Sequence, residues 1–265
     1  MNKTALITGA SNGIGYELSR VHAENGDNLV LVARSKNKLD ELKKELEEKH
    51  KVKVYTIGKD LSQPAAAKDV YDEIKKQNIT IDYLINNAGF GDFGLFAESD
   101  WNKQEQMINL NVITLACLTR LFLPEMISRK SGKILNVAST ASFQPGPTMS
   151  VYFATKAFVL SFSEAVNNEV RDMGVTITTL CPGSTESGFH SVVIGENKQP
   201  KERKLISARK VAEYGYTSMM KGRSVAIPGL KNVILATAVR FFPRSMVVKA
   251  TRIIQTNKHS IDIKN

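Results

Sequence analysis

The stretch Thr8-Gly9-Ala10-Ser11-Asn12-Gly13-Ile14-Gly15 decides the fold, because it places three glycines between an apolar run and a helical pattern. The run Ala5–Thr8 predicts a strand, and Gly13–Asn25 predicts an amphipathic helix. Glycines at such a turn let the backbone approach a pyrophosphate, which amide groups at the helix start can bind. A plain turn that caps the helix is the alternative. The residues predicted to hold a dinucleotide here are Gly9, Ser11, Asn12, Gly13, Ile14 and Gly15.

Apolar runs and helical patterns alternate along the whole chain. Further runs that predict strands are Leu29–Ala33, Val52–Ile57, Ile81–Asn86, Lys133–Ala138, Val175–Leu180 and Ser224–Ile227. Further segments with helical spacing are Asn37–His50, Pro64–Gln77, Asp100–Arg129, Val151–Met173 and Ser207–Gly222. Apolar strands separated by helices indicate a parallel sheet covered on both faces. We therefore predict a single α/β domain of the Rossmann type, with a doubly wound, mainly parallel, seven-stranded sheet.

Two segments depart from this alternation. Residues 188–207 are polar and lack strong periodicity, which predicts a long loop that acts as a lid. Residues 230–265 form a basic amphipathic extension, which Pro243 should divide into two helices. We accordingly assign residues 1–229 to a dinucleotide-binding catalytic domain. The extension could lie on an anionic bilayer, pack on a partner subunit or cover a substrate pocket.

The net charge of +10 does not by itself indicate nucleic-acid binding. Residues 231–265 contain seven Lys or Arg and one acidic residue, Asp262, so six of the ten net charges lie in the tail. The tail lacks the interleaved aromatic and basic surface that single-strand binding uses, and we expect no nucleic-acid partner.

Cysteine usage and the chain's start bear on location. Cys117 and Cys181 have no neighbours at metal-ligand spacing, so we expect reduced thiols and no metal site. No apolar leader precedes the glycine stretch, and the best apolar run, Val233–Phe242, is short and contains Arg240. These observations predict a cytoplasmic protein without a membrane span, with peripheral membrane contact of the tail as one alternative.

The end of the second strand decides which dinucleotide is preferred. An acidic residue there would repel a 2′-phosphate, but this strand ends in Ala33-Arg34. The Arg34 guanidinium suits a phosphate, Lys36 and Lys38 follow, and no carboxylate competes before Asp40. The sequence therefore favours NADP(H) over NAD(H), with a solvated surface arginine as the alternative.

Tyr152 and Lys156 lie four residues apart in a helical pattern, so their side chains leave one helix face. Tyr55/Lys59 and Tyr71/Lys75 have the same spacing, so the spacing alone is no evidence. What distinguishes the third pair is its position after a strand that leads to Ser139 and a loop of small residues and prolines.

Together these motifs closely resemble the classical short-chain dehydrogenase/reductase family, over Lys3–His190 and less specifically beyond. The motifs that carry the resemblance are Thr8–Gly15, Asp60-Leu61, Asn86-Asn87-Ala88-Gly89, Asn111, Ser139, Tyr152-x3-Lys156 and Pro182-Gly183. Asn12, Ala138 and Ser187 depart from the commonest family form by small exchanges, and the Ser187 exchange makes a contact to the nicotinamide amide less secure.

The resemblance implies an oxidoreductase that moves a hydride to or from a carbonyl or alcohol carbon, with Asn111, Ser139, Tyr152 and Lys156 as its catalytic tetrad. Tyr152 would transfer the proton, Lys156 would stabilise the phenolate and hold the nicotinamide ribose, and Ser139 would orient the substrate oxygen. Asn111 would bind a water that links Lys156 to solvent. A loop hydroxyl and a polar helix residue are the alternatives for Ser139 and Asn111. Further residues expected at the cofactor are Asp60, Leu61, Asn87, Ala88, Gly89, Pro182, Gly183 and Thr185.

The candidate pocket residues are apolar, which favours an apolar carbonyl substrate such as a fatty-acyl, terpenoid, steroid-like or aromatic ketone. They are Phe90, Phe93, Phe143, Met149 and Phe189, with Val192 and Val193 beside them. Ordinary core packing is the alternative for each. We also expect a homodimer or homotetramer. The rival function is a non-catalytic NADP-binding redox sensor or scaffold with the same fold.

Overall fold

A parallel sheet forms the centre of the computed structural model, which describes residues 2–186 and 205–259, with side chains to residue 256. Its seven strands are β1 (Thr4–Thr8), β2 (Asn28–Ala33), β3 (Val54–Gly58), β4 (Tyr83–Asn86), β5 (Gly132–Val137), β6 (Val175–Leu180) and β9 (Val225–Ala226). They are buried at most positions, because helices cover both faces. The predicted seven-stranded, doubly wound sheet is confirmed.

The strand order is β3-β2-β1-β4-β5-β6-β9, and every neighbouring pair is parallel. The order reverses direction between β1 and β4. In open α/β sheets, ligands bind outside the carboxyl ends of the strands at such a switch point. Thr8 and Asn86 end these two strands, so the glycine stretch and the Asn86–Gly89 turn meet at that place.

Nine helices are described: α1 (Gly13–Glu24), α2 (Lys36–His50), α3 (Ala66–Lys76), α4 (Trp101–Ile108), α5 (Leu115–Ser128), α6 (Ser150–Val170), α7 (Ala208–Met220), α8 (Leu230–Ala238) and α9 (Arg244–His259). Successive residues of β1 point to opposite faces of the sheet and belong to different apolar clusters. Ala5 and Ile7 pack with apolar residues of α1, α2 and α7, whereas Leu6 packs with residues of α3, α5 and α6. The period of two along a strand thus builds one core on each face.

The segment predicted as one helix, Asp100–Arg129, is helical but not uniformly α-helical. A π-helical segment, Asn109–Thr114, joins α4 to α5 and contains Asn111. Among the described residues, Trp101–Ser128 is also the one helix long and apolar enough to cross a membrane by length and composition. This corrects the expectation that no such segment exists. Leu118, Phe122 and Met126 of this helix are buried against the sheet, as in a core helix.

The tail helices break where the sequence predicts, because α8 ends before Pro243 and α9 begins after it. Most of the predicted lid lies outside the described residues, as do Ser187, Phe189, Val192 and Val193. At its end, β8 (Ile206–Ser207) pairs in parallel with β7 (Thr185–Glu186), a two-stranded ladder that the sequence did not predict.

Candidate active site

The glycine stretch forms a cradle with no room for side chains. Gly9 and Gly13 have positive φ angles of 68° and 56°, which favour glycine. A Cβ on Gly15 would lie 2.3 Å from the Gly9 carbonyl oxygen and 2.4 Å from Asn87 Nδ2, and one on Gly9 would lie 2.9 Å from Ala88 Cα. The backbone of β1, α1 and the turn after β4 therefore meets at van der Waals distance.

The start of α1 suits a phosphate group. Asn12 occupies the N-cap in an extended conformation, and its side chain makes no capping hydrogen bond to the helix. The first turn contains no acidic side chain, so the positive end of the helix dipole is uncompensated there. Uncapped amides, a tight glycine turn and a switch-point position together fit the pyrophosphate of a dinucleotide.

Asn87 ties the turn after β4 to the glycine stretch. Its Nδ2 donates to the carbonyl oxygens of Thr8 at 2.9 Å and Gly9 at 3.3 Å. In the other direction, the amides of Asn87 and Ala88 both donate to the Thr8 hydroxyl at 3.0 Å. Gly89, in the same turn, lies close to two of the catalytic candidates. A Cβ on Gly89 would be 2.9 Å from Asn111 Oδ1 and 3.4 Å from Lys156 Nζ.

At the end of β2, the predicted cations fall into two groups. Arg34 is exposed. Lys36, by contrast, donates through Nζ to Asp40 at 2.9 Å and to the Thr56 carbonyl oxygen at 3.0 Å, with a further contact to the Thr56 hydroxyl. The carboxylate that the sequence analysis regarded as too distant to compete therefore neutralises Lys36, one helical turn away.

Asp60 and Leu61 follow β3. Asp60 Oδ1 accepts from the amide of Ser62 at 3.0 Å and from its hydroxyl at 2.8 Å. Partial burial acts to raise the pKa of Asp60, but these hydrogen bonds, a bond from Gln63 and the charge of Arg34 hold it below its usual range. Asp60 is therefore a carboxylate held in place just beyond the end of β3. Leu61 is buried in the core, and its carbonyl oxygen accepts from Thr114.

Tyr152 begins the catalytic cluster at the start of α6. Its side chain is buried and hydrogen-bonded to the Ser139 hydroxyl. Burial raises the pKa of Tyr152 to about 12, and the bond to Ser139 opposes that rise. Lys156 was predicted to stabilise the phenolate, but in this structure the desolvation of the phenol is the largest influence on the pKa of Tyr152.

Lys156 lies one turn along α6, with Nζ 5.9 Å from the centroid of the Tyr152 ring. Its ammonium donates to the Val137 carbonyl oxygen at 2.8 Å, at the end of β5. Burial lowers the pKa of Lys156 to about 8. The amino group of Lys156 is thus buried, and its hydrogen-bond partner is a backbone carbonyl oxygen at the end of β5.

Asn111 is buried in the π-helical segment and fixed by three bonds. Its Nδ2 donates to the Phe90 carbonyl oxygen at 3.0 Å and to the Thr155 hydroxyl at 3.1 Å, and its Oδ1 accepts from the Phe90 amide at 3.2 Å. Asn111 therefore links the loop after β4 to the helix that carries Tyr152 and Lys156.

Pro182, Gly183 and Thr185 lie beyond the end of β6. The Pro182 carbonyl oxygen accepts from the amide of Thr140 at 2.9 Å, and the Thr185 hydroxyl donates to the Gly183 carbonyl oxygen at 3.0 Å. A Cβ on Gly183 would lie 2.8 Å from Nδ2 of Asn232 in α8. The first tail helix therefore contacts the edge of the site.

Three of the predicted pocket residues lie around the tyrosine. Phe90 and Phe93 pack against a cluster that contains Met149 and Tyr152. Phe143 lies elsewhere, against a cluster with Ala138 and Cys181, and Phe189 lies outside the described residues.

Sequence reasoning missed three residues with a part in this site: Thr8, Ser142 and Thr155. The Ser142 hydroxyl donates to the Lys156 carbonyl oxygen at 2.8 Å, and the other two hold Asn87 and Asn111. The position of Thr155 directly before Lys156 was the one sequence feature that could have indicated its part in the site. The bonds of Thr8 and Ser142 join distant segments and have no local pattern.

Comparison with known proteins agrees with this geometry. A family model described as short chain dehydrogenase matches residues 3–197. The very-long-chain 3-oxoacyl-CoA reductase of Homo sapiens is 36% identical over 188 residues, which are 69% of this chain and 59% of that protein. The chain spans about three-fifths of the length of the curated relatives it matches.

Two solved structures are similar over nearly the whole chain. The bulky-bulky ketone specific alcohol dehydrogenase from Comamonas testosteroni is 29% identical, with a TM-score of 0.78, over 90% of this chain and 92% of that one. A short-chain dehydrogenase from Sphingobium yanoikuyae in complex with NADPH is 28% identical, with a TM-score of 0.80, over 99% of this chain and 98% of that one.

Proposed function

Since the chain belongs to the short-chain dehydrogenase family, we propose that it is an NADP(H)-dependent oxidoreductase acting on a carbonyl or secondary alcohol carbon of an apolar substrate. The observation that carries this proposal is the hydrogen-bonded pair of Ser139 and Tyr152 beside the buried Lys156. These groups supply what the reaction needs from the protein: a proton, an orienting hydroxyl and a fixed positive charge.

Each side chain has a distinct role in the proposed reaction. The nicotinamide, when bound, supplies or accepts the hydride. The Ser139 hydroxyl orients the substrate oxygen, and the Tyr152 hydroxyl gives that oxygen its proton. Lys156 places a positive charge near the developing alkoxide, and its proposed bond to the nicotinamide ribose would replace or join the bond to Val137. Asn111 is proposed to hold the water that connects Lys156 to solvent.

The proposed preference for NADP(H) rests on Arg34, since Lys36 is paired with Asp40. A guanidinium at the end of β2 can bind a 2′-phosphate by two hydrogen bonds. The NADPH in the Sphingobium yanoikuyae relative is consistent with this preference.

An apolar ketone or 3-oxoacyl compound is the proposed substrate class. Phe90 and Phe93 pack against the cluster that contains Met149 and Tyr152, and these apolar side chains offer hydrophobic contacts. The names of two similar proteins, a bulky-bulky ketone specific alcohol dehydrogenase and a very-long-chain 3-oxoacyl-CoA reductase, agree with that chemistry. The predicted roles of Phe143 and Phe189 stay predictions, as do the domain boundaries, the cytoplasmic location, the homodimer or homotetramer and the membrane contact of the tail.

Turnover of a panel of apolar ketones and alcohols with NADP(H) and NAD(H) tests the proposal, with Tyr152→Phe as the decisive variant. We expect NADPH-dependent ketone reduction that falls about 100- to 10,000-fold in Tyr152→Phe, because the proton donor is lost. Tyr55→Phe is the matched control, since Tyr55 and Lys59 have the same spacing but the Tyr55 hydroxyl donates to Glu73 outside the site.

The rival function has a different outcome in the same experiment. A redox sensor or scaffold would bind NADPH with equal affinity in all three proteins and reduce no compound of the panel. Undiminished turnover in Tyr152→Phe would refute the proposed mechanism.

A further inference from the structure

The helices α8 and α9 expose apolar side chains where a surface helix normally places polar ones. On α8, the exposed side includes Leu230, Ile234 and Leu235, while Ala236 is buried. On α9 the usual order is inverted, because the buried residues are Thr251 and Gln255 and the exposed ones include Ile253 and Ile254. Several large apolar side chains on both helices therefore face away from the body of the protein.

The link between the helices continues this surface. Phe241 is 80% exposed and Phe242 is 56% exposed, and the exposed cations Arg240 and Arg244 flank them. Monomeric proteins rarely leave contiguous apolar surface of this kind uncovered. We call the exposed residues of 230–254 the tail surface.

Cations border the apolar residues of the tail surface. On α9, Met246 and Ile253 are seven residues apart and lie on one stripe, and Lys249 and Arg252 lie along one side of it. Residues 230–259 contain six Lys or Arg and no acidic residue. An apolar stripe bordered by cations is the pattern of a helix that lies in the interface of an anionic bilayer.

From these observations we propose that the tail surface docks on an anionic lipid bilayer, with the apolar residues in the headgroup region and the cations on lipid phosphates. A second copy of this chain fits the surface less well. A symmetric interface formed by the tail surface would bring the cations of both copies into one contact, with no acidic side chain of the tail helices to pair with them.

The proposal also gives the active site a position relative to the bilayer. Asn232 of α8 lies against Gly183, and α8 contacts the turn Thr140–Phe143 that follows Ser139. A docked α8 would therefore separate the site from the lipid by about one helix diameter, about 10 Å. An apolar substrate dissolved in the bilayer could then reach the site without crossing much water.

Vesicle co-sedimentation of the full chain tests the charge requirement. We expect binding to phosphatidylcholine vesicles with about 30 mol % phosphatidylglycerol, little binding to phosphatidylcholine alone, and release in about 0.5 M salt. The triple variant Arg244→Gln, Lys249→Gln, Arg252→Gln should bind about 100-fold more weakly, because each cation near a charged membrane is worth about fivefold.

A second triple variant controls for net charge. Lys44→Gln, Lys49→Gln, Lys76→Gln removes three exposed cations from helices α2 and α3, on other parts of the surface. It should keep most of the binding. Equal loss in the two triple variants, or equal binding to neutral and anionic vesicles, would overturn the proposal.

The apolar requirement is tested with Phe241→Ser, which should weaken vesicle binding about tenfold or more because a large apolar side chain that docking would bury is lost. Met173→Ser is the control, since Met173 is an exposed large apolar residue outside the tail. Light scattering of Phe241→Ser without vesicles tests the alternative occupant. If its molar mass falls to that of a smaller assembly, the tail surface is an interface between copies and the proposal is wrong. Binding is measured without turnover, so its failure leaves the proposed enzyme activity untouched.

Discussion

The side-chain amide of Asn111 donates a hydrogen bond to the Thr155 hydroxyl across 3.1 Å, and this bond joins the π-helical segment to α6. Thr155 lies between Tyr152 and Lys156 in sequence, and its hydroxyl also donates to the Tyr152 carbonyl oxygen at 2.7 Å. One threonine therefore connects the backbone of the proton donor to the residue predicted to hold the water relay.

Replacing that threonine should damage catalysis more than folding. In Thr155→Val the amide of Asn111 loses a buried partner, so we expect kcat to fall about tenfold with KM for the cofactor little changed. Thr155→Ser should restore kcat, because it returns the hydroxyl. Thr178→Val is the control, since the Thr178 hydroxyl is buried with no hydrogen-bond partner among the described residues. Equal loss in both valine variants would argue against a positioning role.

Gly15→Ala should abolish cofactor binding and lower thermal stability sharply. Its new Cβ would meet a carbonyl oxygen at 2.3 Å and Asn87 Nδ2 at 2.4 Å, so the cradle would have to open. Gly26→Ala has a positive φ of 81° but no described atom within 4 Å of the new Cβ. This substitution should lower the free energy of unfolding only by the backbone strain, about 1–2 kcal/mol. Thermal melts with and without NADPH measure both effects, and a Gly15→Ala protein still stabilised by NADPH would contradict the prediction.

Arg34 and Lys36 should differ in their effect on cofactor choice. We expect Arg34→Ala to raise KM for NADPH about tenfold or more and to leave KM for NADH nearly unchanged, because a charge-assisted bond to phosphate is lost. Lys36→Ala should change both values within about threefold, since Lys36 is bonded to Asp40 and Thr56. Steady-state kinetics with both cofactors decide this. A larger effect of Lys36→Ala would show that its ion pair opens for the phosphate.

Removing the buried ammonium should stabilise the protein at neutral pH. The pKa of Lys156 is about 8 in the fold against an ordinary 10.5, so between these values the unfolded chain binds more protons and stability rises with pH. Below pH 8 the shift corresponds to a destabilisation of about 3 kcal/mol. The unpaired Val137 carbonyl in Lys156→Met offsets part of this gain.

Thermal melts of Lys156→Met and wild type should therefore differ by several degrees in favour of the variant at pH 7, and by much less at pH 10. The exposed Lys44→Met should melt like wild type at both pH values. A difference that stays constant with pH would show that desolvation of Lys156 is not its cause.

The sheet could be predicted because each strand is buried on both faces and reads as an apolar run. The boundaries moved by one or two residues, as in β3, which begins at Val54 and not at Val52. The ladder of β7 and β8 could not be found, since two residues give no periodicity. The π-helical segment was also hidden, because its residues have the composition of an ordinary helix.

The site residues could be named from motifs, but their partners could not. Nothing local links Lys156 to the carbonyl oxygen of Val137 or Thr8 to Asn87, since these contacts depend on the strand order. Lys36 was misjudged for a different reason. Asp40 is four residues away in sequence, which on a helix is one turn and brings its carboxylate to Lys36.

The π-helical segment also limits how this chain can change in length. A π turn contains one residue more than the α turn it replaces, so the extra residue is taken up locally and α5 keeps the same face toward the sheet. Deleting Val112 would therefore restore a regular helix with Leu118, Phe122 and Met126 still buried, but it would move Asn111 away from Thr155. A deletion within α5 would instead rotate the residues beyond it by about 100° and take them off the sheet.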